Sequence, residues 1–87
     1  MASYQIEWRN STKKDLRKIG SIDRLRIIAA VESLAANPFP QGCTKLSGSE
    51  QSYRIRVGSF RILYDILSGR LIIEVIKVGH RRDVYRG

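Results

Sequence analysis

A single cysteine, Cys43, and a single histidine, His80, stand among the 87 residues. One thiol cannot close an intramolecular disulfide, and without a second Cys or a group of histidines there is no zinc-ligand set. The chain reads as a protein of a reducing compartment. Its start, MASYQIEWRN, has no basic stretch followed by an apolar one, so no export signal is expected. The longest unbroken apolar run, Ile27 to Val31, falls far short of the ~20 residues that span a membrane. A cytoplasmic protein without membrane attachment is the expectation. Carboxylates are also scarce: eight Asp and Glu against 16 Lys and Arg leave a net charge of +8 and an isoelectric point near 10.3. They form no cluster that would hold a catalytic metal, the lone His and Cys show no nucleophile–base pattern, and no glycine-rich phosphate loop precedes a helix. No metal and no organic cofactor is expected.

What is present fits one small globular domain spanning residues 1–87, since 43% of positions are hydrophobic and 28% charged. A domain of this size buries only about 60–65% of the surface its unfolded chain exposes, so a partner that adds contacts is expected. The charge makes that partner, or the substrate, a polyanion: nucleic acid, the ribosome, an anionic membrane or an acidic protein.

Tyr4, Ile6 and Trp8 alternate with polar residues, which predicts a strand over 3–9 with one buried face. Thr12 followed by Asp15 reads as a capping box, and Gly20 as a helix stop, giving a first helix over about 11–19. Ser21 is placed to cap a second helix over about 22–36, whose stripe Ile27, Ala30, Val31, Leu34 ends at Asn37-Pro38. Residues 37–51 hold both prolines, Gly42 and Gly48, and read as a loop anchored by Leu46 of KLSG. Period two then returns: Tyr53, Ile55 and Val57, a turn at Gly58-Ser59, then Phe60, Ile62, Tyr64 and Ile66. A second turn at Ser68-Gly69 leads into the β-branched run Leu71 to Val78, a central strand. The expected fold class is α+β in the order β-α-α-β-β-β, with a helical hairpin on one face of a twisted, mainly antiparallel sheet.

Residues 44–87 hold nine Lys and Arg against four Asp and Glu, and residues 1–43 seven against four. Arg54, Arg56 and Arg61 sit off the apolar registers of adjacent strands, so they can converge on the face the helices leave uncovered. Without a metal, such residues suit RNA cleavage through the substrate's own 2′-hydroxyl, where the protein aligns the attack, neutralises the phosphate and moves protons. Arginines hold phosphate oxygens bidentately and do not deprotonate. Proton transfer therefore falls to His80 first, Tyr85 second and Lys45 third, and Tyr85 can instead stack on an unpaired base. By pattern alone the strand arginines also fit an ordinary solvated face, as does the helix-one stripe Lys13, Lys14, Arg17 and Lys18. Tyr53, Tyr64 and Trp8 read as core, and Cys43 as incidental.

The segments KLSG (45–48), YRIRVGSFRILY (53–64) and VGHRRDVYR (78–86), in this order, resemble the RelE/ParE superfamily of toxins from type II toxin–antitoxin pairs, most closely the RelE-like branch. The resemblance spans essentially the whole chain. It implies a ribosome-dependent endoribonuclease that cleaves mRNA in the A site of the small subunit, inhibits translation and is neutralised by a cognate acidic antitoxin. Operator DNA would be reached only through that antitoxin. Carried over by position, Arg54 and Arg56 match the paired basic residues of one strand and Arg61 the arginine of the next, while Arg81 and Tyr85 match the C-terminal pair. In that picture Arg61 and Arg81 stabilise the transition-state phosphate, Tyr85 stacks on or orients a base, and Lys45, Arg54, Arg56 and Arg82 hold RNA. The chain departs from the RelE pattern in having arginine at both positions of the YRIR pair, where members have lysines. His80, at a position where those members have lysine, becomes a base or acid. The ParE branch, a DNA gyrase inhibitor, and a non-catalytic RNA- or ribosome-binding module are the competing readings.

Overall fold

The computed structural model describes residues 3–80, and within them apolar–polar alternation builds the strands as expected. Ile6 and Trp8 point inward from β1 (Gln5–Trp8), and two helices follow, α1 (Asn10–Arg17) and α2 (Ser21–Ser33). The sheet continues with β2 (Thr44–Lys45), β3 (Ser52–Val57), β4 (Phe60–Leu67) and β5 (Ile72–His80), in the spatial order β1-β5-β4-β3-β2. Pairing is antiparallel except between β1 and β5, which run parallel. The α+β architecture is therefore two helices on one five-stranded sheet, with the last strand interior between β1 and β4.

Several local expectations are corrected. Thr12 is not a cap: the helix begins after Arg9, and the buried Thr12 hydroxyl donates back to the Arg9 carbonyl at 2.5 Å. Gly20 does not stop α1, which ends at Arg17 with Lys18 as its C-cap. It stands instead at the N-cap of α2, so Ser21 is that helix's first residue and its hydroxyl makes no cap bond. The segment around KLSG is not all loop, because Thr44 and Lys45 pair with Arg54 and Tyr53 as a fifth, edge strand. Leu71 lies outside β5. It takes a left-handed conformation, φ 55°, after a 3₁₀ turn over Ser68–Arg70, while its carbonyl receives the Gln5 amide at 2.8 Å and sets the β1–β5 register. A left-handed leucine is sterically strained, so Leu71→Gly is expected to raise stability by roughly 0.5 kcal/mol in urea unfolding. A loss of stability would contradict that reading.

The core forms where Ile27 and Val31 of α2 and its C-cap Leu34 meet Ile55, Ile62, Tyr64, Ile73, Val75 and Val78 of the sheet. Val75 and Val78 are three residues apart, so strict alternation would put them on opposite faces. A register shift resolves this: Tyr64 pairs with Val75 but Leu63 with Lys77, leaving Ile76 as the extra residue of a bulge. Everything in β5 beyond that point changes face.

Tyr64, fully buried, stacks 6.1 Å from Tyr53 and donates its phenol to the Pro38 carbonyl at 2.8 Å, tying the loop after α2 to the sheet. Burial foremost, with neighbouring Cys43 and Tyr53, pushes this phenol far above its ordinary value of 10.0. The raised value favours the neutral form in the fold, so its contribution is complete below the ordinary tyrosine range and is lost as pH rises above it. Tyr64→Phe is expected to cost about 1–2 kcal/mol at neutral pH and to flatten the decline of stability above pH ~10. Denaturant midpoints taken across that range would show both; an unchanged alkaline decline would contradict the assignment.

Candidate active site

The β3–β4 hairpin brings the sequence-predicted arginines together. Arg56 pairs directly with Arg61, and Arg54 with Leu63, so pleating places Arg54, Arg56 and Arg61 off the core face. All three line a cleft of about 430 Å³ at the β3 edge. Its other walls are Ala30 and Ser33 of α2 and the connection from Pro40 to Thr44. These wall residues carry no charge and were not anticipated from sequence. The available signal was Gly42, whose φ of 90° turns the connection back toward the sheet.

The electrostatics follow from the residue types. None of the described residues lining the cleft is acidic, and two arginines stand opposite each other across a strand pair, which concentrates positive charge there. Arg61 is only 6% exposed, so part of its guanidinium lies in a medium less screening than water. Guanidinium groups so placed suit the oxygens of a phosphate, and their attraction grows as negative charge develops on it.

Not every candidate joins this group. Lys45, exposed on β2 opposite Tyr53, is outside the cleft lining. The bulge in β5 places Gly79 opposite Arg61 and His80 opposite Phe60, so His80 stands on the helix-facing side of the sheet. Its ring meets Phe60 edge-on at 5.8 Å, and both line a separate cleft of about 330 Å³ with Asp15 of α1 and its C-cap Lys18. His80 and the strand arginines therefore line different clefts, the cause being one extra residue in β5. Arg81, Arg82 and Tyr85 lie outside the described residues. Among the described residues there is no cluster of potential metal ligands and no helix long and apolar enough to cross a membrane.

The profile of the family described as "ParE toxin of type II toxin-antitoxin system, parDE" matches residues 6–85. This chain belongs to the RelE/ParE toxin superfamily. The toxin is 29% identical over 86 residues to the protein of Methanocaldococcus jannaschii assigned as toxin RelE1, covering 95% of this chain and 96% of that one. To the mRNA interferase toxin RelE of Escherichia coli it is 26% identical over 87 residues, covering 95% and 90%. A chain of the crystal structure of the intact E. coli RelBE toxin–antitoxin complex superimposes with a TM-score of 0.79 at 25% identity, covering 90% of this chain and 96% of that one. The fold of the described residues thus agrees with that of a type II toxin.

Proposed function

We propose that this toxin is a metal-independent, ribosome-dependent endoribonuclease that cuts mRNA in the A site. The observation that carries the reading is the convergence of Arg54, Arg56 and Arg61 on one uncharged-walled cleft. The E. coli relative named an mRNA interferase supports the same substrate class. In the proposed reaction the 2′-oxygen of one nucleotide attacks the adjacent phosphorus, the bond to the next 5′-oxygen breaks, and a 2′,3′-cyclic phosphate and a 5′-hydroxyl result. Arg61 and Arg56 neutralise the charge that builds on the non-bridging oxygens, and Arg54 holds the neighbouring phosphate. The C-terminal motif would supply Arg81 for the phosphate and Tyr85 for proton transfer. One proton leaves the 2′-hydroxyl and one must reach the 5′-oxygen. A guanidinium does not take up the 2′-hydroxyl proton, which passes to solvent water, and His80 lines a different cleft. Tyr85 is therefore the candidate donor of the proton that reaches the 5′-oxygen, and His80→Gln is expected to leave the pH profile of cleavage between about 5 and 8 unchanged. A shifted profile would return His80 to the chemistry.

The partner we assign is an acidic antitoxin, which a +8 domain meets rapidly and whose docking would cover the basic surface. Contact with operator DNA would come through that antitoxin. The direct test is mRNA on purified ribosomes against the same mRNA in buffer: cuts confined to the ribosome-bound A-site codon support the proposal, and intact mRNA with a folded toxin contradicts it.

The ParE match of residues 6–85 favours a second reading, inhibition of DNA gyrase, for which a supercoiling assay is the test. A purely RNA-binding module is separated by salt dependence and rate together. Arg54→Ala and Arg56→Ala are each expected to lower the slope of log K against log salt by about 0.7 on single-stranded RNA. In a binding module the matter ends there. In a nuclease the cleavage rate also falls by more than the affinity.

A further inference from the structure

We infer that Gln41 reads the base of the nucleotide whose phosphate the cleft arginines hold, and that it selects adenine. This rests on the RNA-cleaving reading above and deepens it. The cleft has two chemically different walls. One carries guanidinium groups, which suit phosphate and ignore base identity; the other carries uncharged side chains from α2 and the Pro40–Thr44 connection. On that second wall Ser33 and Thr44 are single hydroxyls, and the Ser33 hydroxyl already donates to the Ala30 carbonyl at 2.6 Å. Gln41 offers a carbonyl acceptor and an amide donor side by side, the pair that meets adenine at N6 and N7, an edge on which guanine presents two acceptors and the pyrimidines have no matching pair.

The position of Gln41 is also fixed. The Cys43 amide donates to the Pro40 carbonyl at 3.1 Å, and Gly42 has φ 90°, which makes Pro40 to Cys43 a type II turn with Gln41 at its corner. The segment is held at both ends: the Tyr64 phenol bonds the Pro38 carbonyl, and Thr44 pairs with Arg54 itself. A base reader tied by backbone pairing to a phosphate holder keeps a constant distance from it, which specificity requires. The cleft volume of about 430 Å³ falls in the range of sites that enclose one small-molecule-sized group.

The test measures cleavage of ribosome-bound mRNAs that differ only in the base at the cut nucleotide. The wild-type toxin is expected to cut the adenine-containing site about tenfold faster than the others. Gln41→Ala should erase that ratio, and Gln41→Glu, which replaces the donor by an acceptor, should move the preference to cytosine. Loss of the wall residue as mere packing would lower all four rates together and leave their ratio intact. An absent adenine preference in the wild type, or a preference identical in both variants, overturns the assignment of Gln41 and leaves the nuclease reading standing. No cleavage of any mRNA by the folded wild-type toxin overturns the nuclease reading, and this inference with it.

Discussion

Arg61→Ala is expected to lower the rate of mRNA cleavage on the ribosome by about 10²–10³-fold while changing KM little. A large effect is expected because Arg61 is 6% exposed and stands opposite Arg56, so in the proposed reaction its charge would act on the phosphorane through poorly screening surroundings. Arg56→Ala, at an exposed position, should fall less. Arg61→Lys should recover only part of the loss, since a lysine keeps the charge but not the two-pronged contact. Single-turnover cleavage of a defined ribosome-bound mRNA gives these numbers. A loss of less than about threefold in Arg61→Ala would remove Arg61 from the reaction and leave it a structural cation.

The second large effect concerns stability. Ile62, fully buried, sits on β4 with its neighbours along that face, Tyr64 and Ile66, in the core that α2 closes. Ile62→Ala removes three methyl or methylene groups where the chain has little room to collapse, and is expected to cost about 3 kcal/mol. For a domain of this size that is a large share of the total, and the melting temperature should drop by roughly 15 °C. Because Ile62 and Arg61 are neighbours on opposite faces, the two variants separate folding from chemistry. Ile62→Ala should keep near-normal cleavage at low temperature, and an antitoxin that binds the folded state should raise its melting point with the logarithm of the antitoxin excess. A change below 1 kcal/mol in urea unfolding would contradict the central place given to this residue.

Much of this was legible in the sequence because the determining signals are local. Alternation marked β1, β3 and β4, the Ile27–Val31–Leu34 stripe marked the buried face of α2, and Gly58-Ser59 marked the turn that makes Arg56 face Arg61. The features that were not legible depend on distant parts of the chain. The two-residue β2 exists because Thr44 and Lys45 find Arg54 and Tyr53, and nothing in their own pattern announces a strand. The parallel pairing of β1 with β5 joins segments more than 60 residues apart. The bulge at Ile76 is the costliest omission for function, since an uninterrupted period of two along β5 carries His80 to the wrong face. The site followed the same division. Its arginines share one hairpin and were anticipated from spacing, whereas Ser33 and Gln41 reach the cleft only after α2 packs and Tyr64 anchors the Pro38 loop.

The central claim is that the arginine cleft cleaves mRNA positioned by the ribosome, and primer extension on programmed ribosomes tests it most directly. The account predicts new 5′ ends confined to the A-site codon, absent from the same mRNA free in buffer and nearly absent with Arg61→Ala. Full-length mRNA with the folded wild-type toxin, or cuts that persist undiminished in Arg61→Ala, would contradict it.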